Sequence, residues 1–192
     1  ALLYDNLGMQ DKAIKAVEEA RAENPSDVDL ILTEANINFR LGNNERYSKL
    51  VAEALEQDPT NATLYYNLGV VSSELGKKED AENYYNKAIK LDPKMQNAYL
   101  NLVSLILEQE NEIVEQMNSL GTSRAENKKY DELKLKRESI YMDCVPILQK
   151  LIEIDSKSNI EAIQTLKNIY ATVGDTEGFS KMKALLEEVE SK

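Results

Sequence analysis

The chain has 192 residues, 42% of them hydrophobic and 30% charged, a composition of soluble, folded proteins large enough for one sizeable core or a small array. Its net charge of -11 argues against a nucleic-acid or anionic-membrane surface, because those partners select clustered Lys and Arg. No apolar run approaches the roughly 20 residues that cross a bilayer, so no membrane insertion is expected. The lone Cys144 excludes an internal disulfide without fixing a compartment.

Taken from the N-terminus, the chain is punctuated at a fixed interval. Gly8, Gly42 and Gly76 are 34 residues apart, and so are Pro25, Pro59 and Pro93. Such a period marks a repeated supersecondary unit. Residues 1–27 read as an incomplete unit with Tyr4, Ala13, Val17 and Ala20 at helical spacing. Ala1 falls at about the eighth position of the repeat, so the natural chain is expected to continue upstream. That leaves any targeting signal, and hence the compartment, open.

Residues 28–61 and 62–95 are complete units. Before Gly76, Tyr65, Leu68, Val71 and Ser72 share a helical face; after it, Ala81, Tyr84, Tyr85, Ala88 and Ile89 do the same. Each unit is therefore predicted to be two amphipathic helices. The glycine ends the first helix where φ is positive, and the proline lies in the connection after the second. In residues 28–61, Glu34 and Asn38 stand where apolar residues are expected.

Residues 96–158 are 29 longer than one period. The excess is helical: Leu102, Leu105, Ile106, Ile113, Val114, Met117 and Leu120 continue one stripe. Ser123 and Glu126 then have the spacing of a capping box, which predicts a helix start. Tyr130, Leu133, Ile140, Tyr141, Cys144, Leu148 and Leu151 continue a second stripe. The reading is a long antiparallel helical hairpin over about residues 109–140. Its second helix, from about 124 to 155, would run about 48 Å at ~1.5 Å per residue, with Pro146 expected to kink it.

Residues 159–192 return to the regular pattern with Ile163, Leu166, Tyr170 and Gly174. The segment GDTEGFSKM at 174–182 matches GNNERYSKL at 42–50. The last helix has a narrow stripe, Phe179, Met182, Leu186 and Val189, as suits an outermost helix with a polar far side. On that reading the C-terminal boundary is natural.

The pattern in residues 62–95, with Tyr65, Leu68, Gly69, Gly76, Ala81, Tyr85, Ala88 and Pro93, resembles the tetratricopeptide repeat. The resemblance extends over nearly the whole chain. It implies an all-α solenoid of stacked helix-turn-helix units forming a right-handed superhelix. On this reading residues 1–192 are one domain, with units at 1–27, 28–61, 62–95, 96–158 and 159–192.

Catalysis is not expected. The chain has no histidine, the usual acid/base group at neutral pH and the commonest metal ligand, and no Gly-rich phosphate loop. Cys144 has no histidine to activate it and reads as a small core residue. No catalytic residue, cofactor site or metal site is assigned.

The resemblance implies a module that binds a protein or peptide partner. Carried over residue by residue, the groove-lining positions are Thr33, Asn36 and Arg40, then Tyr66, Asn67, Val70 and Glu74. The fourth unit supplies Asn97, Leu100, Asn101 and Ser104, and the last supplies Gln164, Thr165 and Asn168. Asn67 and Asn101, one period apart, resemble the asparagine ladder with which some members grip a peptide backbone. An amide both donates and accepts, so it can pair with an extended chain of any sequence. Leu32, Thr63, Asn97 and Asn101 stand where members that clamp a C-terminal carboxylate carry Lys and Arg, so an acidic-tail ligand is not expected. The alternative is a structural role in which the helical arm or the N-terminal face forms a homo-oligomer.

Overall fold

The computed structural model describes residues 9–155 and 159–191, so Gly8 and the apolar residues at the start of the chain lie outside the described residues. Among the described residues every regular element is an α-helix. The chain divides into two compact units, residues 1–93 and 94–192.

The first unit holds α1 (Gln10–Glu23), α2 (Val28–Arg40), α3 (Asn44–Gln57), α4 (Ala62–Glu74) and α5 (Lys78–Leu91). Their starts follow local chemistry. Asp27 caps α2, its carboxylate accepting from the backbone N–H groups of Asp29 and Leu30 at 3.0 and 3.1 Å. Asn61 caps α4 by accepting from Leu64 N–H at 3.3 Å. The turns α2–α3 and α4–α5 pass through Gly42 and Gly76 at φ of 75° and 71°, a backbone region that a β-carbon would strain.

The pairs nest through small residues. Ala81 and Ala88 on α5 are fully buried, and Tyr85 between them packs against the α4 backbone at Gly69. A β-carbon at Gly69 would come within 2.5 Å of the Tyr85 ring, which explains the glycine in mid-helix. A second core joins α2, α3 and α4 through Ile31, Leu50, Val51, Ala54, Leu64 and Leu68.

Glu34, the polar residue at an expected core position, is 2% exposed. It is not alone: Arg21 from α1 and Arg46 from α3 both donate to its carboxylate, and Arg21 also reaches Glu53. Two guanidinium groups thus compensate a carboxylate that burial would otherwise penalise heavily. Asn38 is also satisfied, donating to the Glu34 carbonyl at 2.9 Å and accepting from the Asn43 amide at 3.2 Å.

The second unit holds α6 (Gln96–Asn118), α7 (Arg124–Ile154), α8 (Ile160–Val173) and α9 (Thr176–Glu190). α7 opens with the predicted capping box: Glu126 N–H donates to Ser123 Oγ at 3.3 Å, and Ser123 N–H donates to Glu126 Oε2 at 3.0 Å. It runs as one helix through Pro146. The hairpin of α6 and α7 has its own small core of Ile113, Met117, Leu133 and Ile140. Beside it, Glu110 on α6 accepts from Arg137 Nε at 2.7 Å and from the Tyr141 hydroxyl. Burial and the neighbouring Glu110 push the Tyr141 phenol up to about 12.

Tyr130 corrects the expected second stripe, because it is 45% exposed. α7 packs on both α6 and α8, and within its residues 124–139 only Leu133 is buried. The buried face is therefore narrower in the first half of α7, and Tyr130 is left outside it. Asn159 closes the C-terminal end of α7, donating to the carbonyls of Leu151 and Asp155 at 3.1 and 2.7 Å.

Candidate functional site

The first unit brings two of the expected groove residues to one place. α3 packs on both α2 and α4, and a cleft of about 300 Å³ opens where the three helices meet. Asn36 of α2 and Asn67 of α4 both line it. The apolar part of the lining is Leu32, Val51 and Leu64; the polar part adds Asn61, Thr63 and Tyr47. Among the described residues no charged side chain lines this cleft, although 30% of the chain is charged.

Tyr47 is the residue that sequence reasoning missed. It comes from the second helix of its pair, outside the set assigned to the groove, and is 5% exposed. Its ring packs against Phe39 with centroids 5.2 Å apart, and its hydroxyl is hydrogen-bonded to the Asn67 side chain. Burial raises the Tyr47 phenol above its ordinary pKa, and the bond from Asn67 pulls it partly back, as a donor to the phenolic oxygen does. The tyrosine thus stays protonated at neutral pH. The signal was present in the period: positions 13, 47 and 81 are equivalent, and read Ala, Tyr, Ala.

The amides differ in what they have left to offer. Asn61 accepts from Leu64 N–H and is hydrogen-bonded to Asp58, so its polar atoms are committed to the start of α4. Asn36 is exposed at the rim. Thr33, Tyr66 and Val70 are half-buried and Arg40 is exposed. Glu74 accepts from the Asn44 amide at 3.2 Å.

In the second unit the expected residues lie on α6 and α8, both of which pack on α7. Asn97 and Ser104 are exposed on α6, with Leu100 and Asn101 half-buried. On α8, Gln164 and Asn168 are exposed and Thr165 is half-buried. All of them keep surface toward solvent. Asn67 belongs to the first unit and Asn101 to the second.

Cys144 is fully buried, and burial, with Asp143 and Glu110 nearby, pushes its thiol up to about 12. A thiol in that state is not a nucleophile at neutral pH. Among the described residues no group of three or more His, Cys, Asp or Glu is arranged to hold a metal ion. Among them, too, no helix is long and apolar enough to cross a membrane.

A helical pair closed by a positive-φ glycine, with alanines at the contact and Tyr85 against Gly69, is the local plan of one known repeat. Residues 62–95 match the tetratricopeptide repeat. Over a longer stretch the chain is similar in fold to solved helical-repeat structures. A crystal structure of MamA protein, 20% identical, aligns over 98% of this chain and 87% of its own with a TM-score of 0.65. The MamA RS-1 ArsTM double mutant is 14% identical over 99% of this chain and 90% of its own, with a TM-score of 0.63. A MamA AMB-1 structure is 15% identical over 98% and 86%, with a TM-score of 0.63. At such identities the likeness speaks for the fold. No curated relative matches this chain.

Proposed function

We propose that this protein is an interaction scaffold whose tetratricopeptide-type helices hold an uncharged, extended or helical segment of a partner protein. A repeat-built helical fold supports an interaction role in general. The finer reading rests on one observation: Asn36 and Asn67 converge on a cleft whose lining carries no charge. An amide can pair with both the N–H and the C=O of a peptide group, and an apolar floor beside it takes up a side chain. The faces of α6 and α8 offer a second surface of similar chemistry, rich in Asn, Gln, Ser and Thr. A basic clamp for a terminal carboxylate has no candidate at Leu32 or Thr63. The chain is read as non-enzymatic, with no cofactor and no nucleic-acid partner.

The test is capture of a partner from lysate by the parent protein and by the Asn36→Ala, Asn67→Ala double variant. The double variant is expected to lose the partner while melting within a few degrees of the parent. Undiminished capture would remove the cleft from the binding surface.

A structural reading has one observation in its favour. Leu135 and Met142 are 67% and 51% exposed and seven residues apart on the outer side of α7. Light scattering on a variant with the arm shortened separates the two readings: an unchanged oligomeric state would leave the arm without that role.

A further inference from the structure

The cleft owes its shape to a single exception in the period. At the position where Ala13 and Ala81 are fully buried, α3 carries Tyr47. One turn further along the second helix the exception reverses: Val51 stands where the next pair has Tyr85. The aromatic bulk has moved one turn toward the start of the helix. Tyr85 packs on its own partner helix at Gly69, whereas Tyr47 packs on Phe39 of its own pair and is hydrogen-bonded to Asn67 of the following pair. There Tyr47 is one of the residues that line the cleft.

Resting on the binding role proposed above, we infer that this cleft is a specificity subsite for one uncharged aliphatic side chain of an extended peptide segment, with the Tyr47 hydroxyl donating to a peptide carbonyl beside it. Three features carry the inference. The floor of Leu32, Val51 and Leu64 is apolar, and about 300 Å³ is at the small end of ligand pockets, room for a side chain and its flanking peptide groups. The Tyr47 hydroxyl is hydrogen-bonded to the Asn67 side chain at this cleft, and a phenol that accepts one bond can still donate another. A Lys or Glu side chain entering the cleft would lose hydration and find no opposite charge in its lining. Asn36 at the rim can pair with the next peptide group along the chain.

The experiment uses three blocked heptapeptides, acetylated and amidated, identical except for Leu, Lys or Glu at the centre of a Ser/Ala sequence. Each is titrated to millimolar concentration into the ¹⁵N-labelled full chain, following the side-chain amides of Asn36 and Asn67. The leucine peptide is expected to shift both amides saturably, about tenfold more tightly than the other two. Tyr47→Phe keeps the wedge and removes the hydroxyl. It should weaken the leucine peptide about fivefold without altering which residues shift. Three equal affinities at Asn36 and Asn67 would overturn the subsite and leave the groove reading standing. Shifts confined to other surfaces, or none with any peptide, would overturn both. A Tyr47→Phe variant that binds like the parent would overturn the role of the hydroxyl.

Discussion

The second and third helical pairs follow one plan and solve it differently. In the third, α4 and α5 make a dry contact: Leu68, Gly69, Ala81 and Tyr85 are all buried. In the second, the equivalent positions hold Glu34, Ala35, Tyr47 and Val51; the pair carries a buried carboxylate and borders, with α4, an open cleft. The difference teaches where a repeat protein can place specificity. Matched large and small residues on facing helices fill space and leave nothing to bind. Moving one aromatic by a turn leaves the pair packed but brings a hydroxyl to its border with the next helix, whose polar groups line the cleft there.

Removing the polar half of this contrast should have the largest effect. Glu34→Ala leaves Arg21, 15% exposed and already holding a buried Nε with no hydrogen-bond partner, without its main counter-charge. A loss of about 3 kcal/mol is expected, read as a drop of several degrees in the melting temperature of the parent. An unchanged melt would mean that the carboxylate is not buried in solution. Filling the dry contact comes next. Ala81→Leu pushes a branched side chain into the fully buried site beside α4 and should cost about 1–3 kcal/mol by overpacking, checked by urea unfolding. A variant as stable as the parent would show that the contact is looser than drawn. The smallest change sharpens the comparison: Tyr47→Phe removes a hydroxyl but no volume. With the Asn67 bond gone, about 1 kcal/mol should be lost, visible in the same unfolding curves.

Much of the fold is legible in the sequence, for local reasons. The turn glycines 34 residues apart at 42 and 76 announce positive φ, and α3 and α5 end just before Pro59 and Pro93. The Ser123–Glu126 capping box predicted the start of α7, which runs from Arg124 to Ile154. What escaped was tertiary. The fate of Glu34 depends on Arg21 and Arg46, which arrive from two other helices. Tyr130 follows the apolar period of α7 but lies where that helix has too little neighbouring surface to cover it. Of the candidate site, the residues of α2 and α4 were read from their place in the repeat, and Asn36 and Asn67 do share a cleft. Tyr47 escapes a reading that seeks groove positions on the first helix of each pair. Only its departure from alanine at 13 and 81 marked it.

The contact between Tyr47 and Asn67 is the most direct point of attack on the account, and a nuclear Overhauser spectrum of the labelled chain reads it without any ligand. Cross-peaks between the Tyr47 ring protons and the Asn67 side-chain amide are predicted, together with cross-peaks from the same ring to Phe39. A Tyr47 ring that shows contacts only to residues of α2 and α3, with Asn67 silent, would contradict the wedge and with it the cleft.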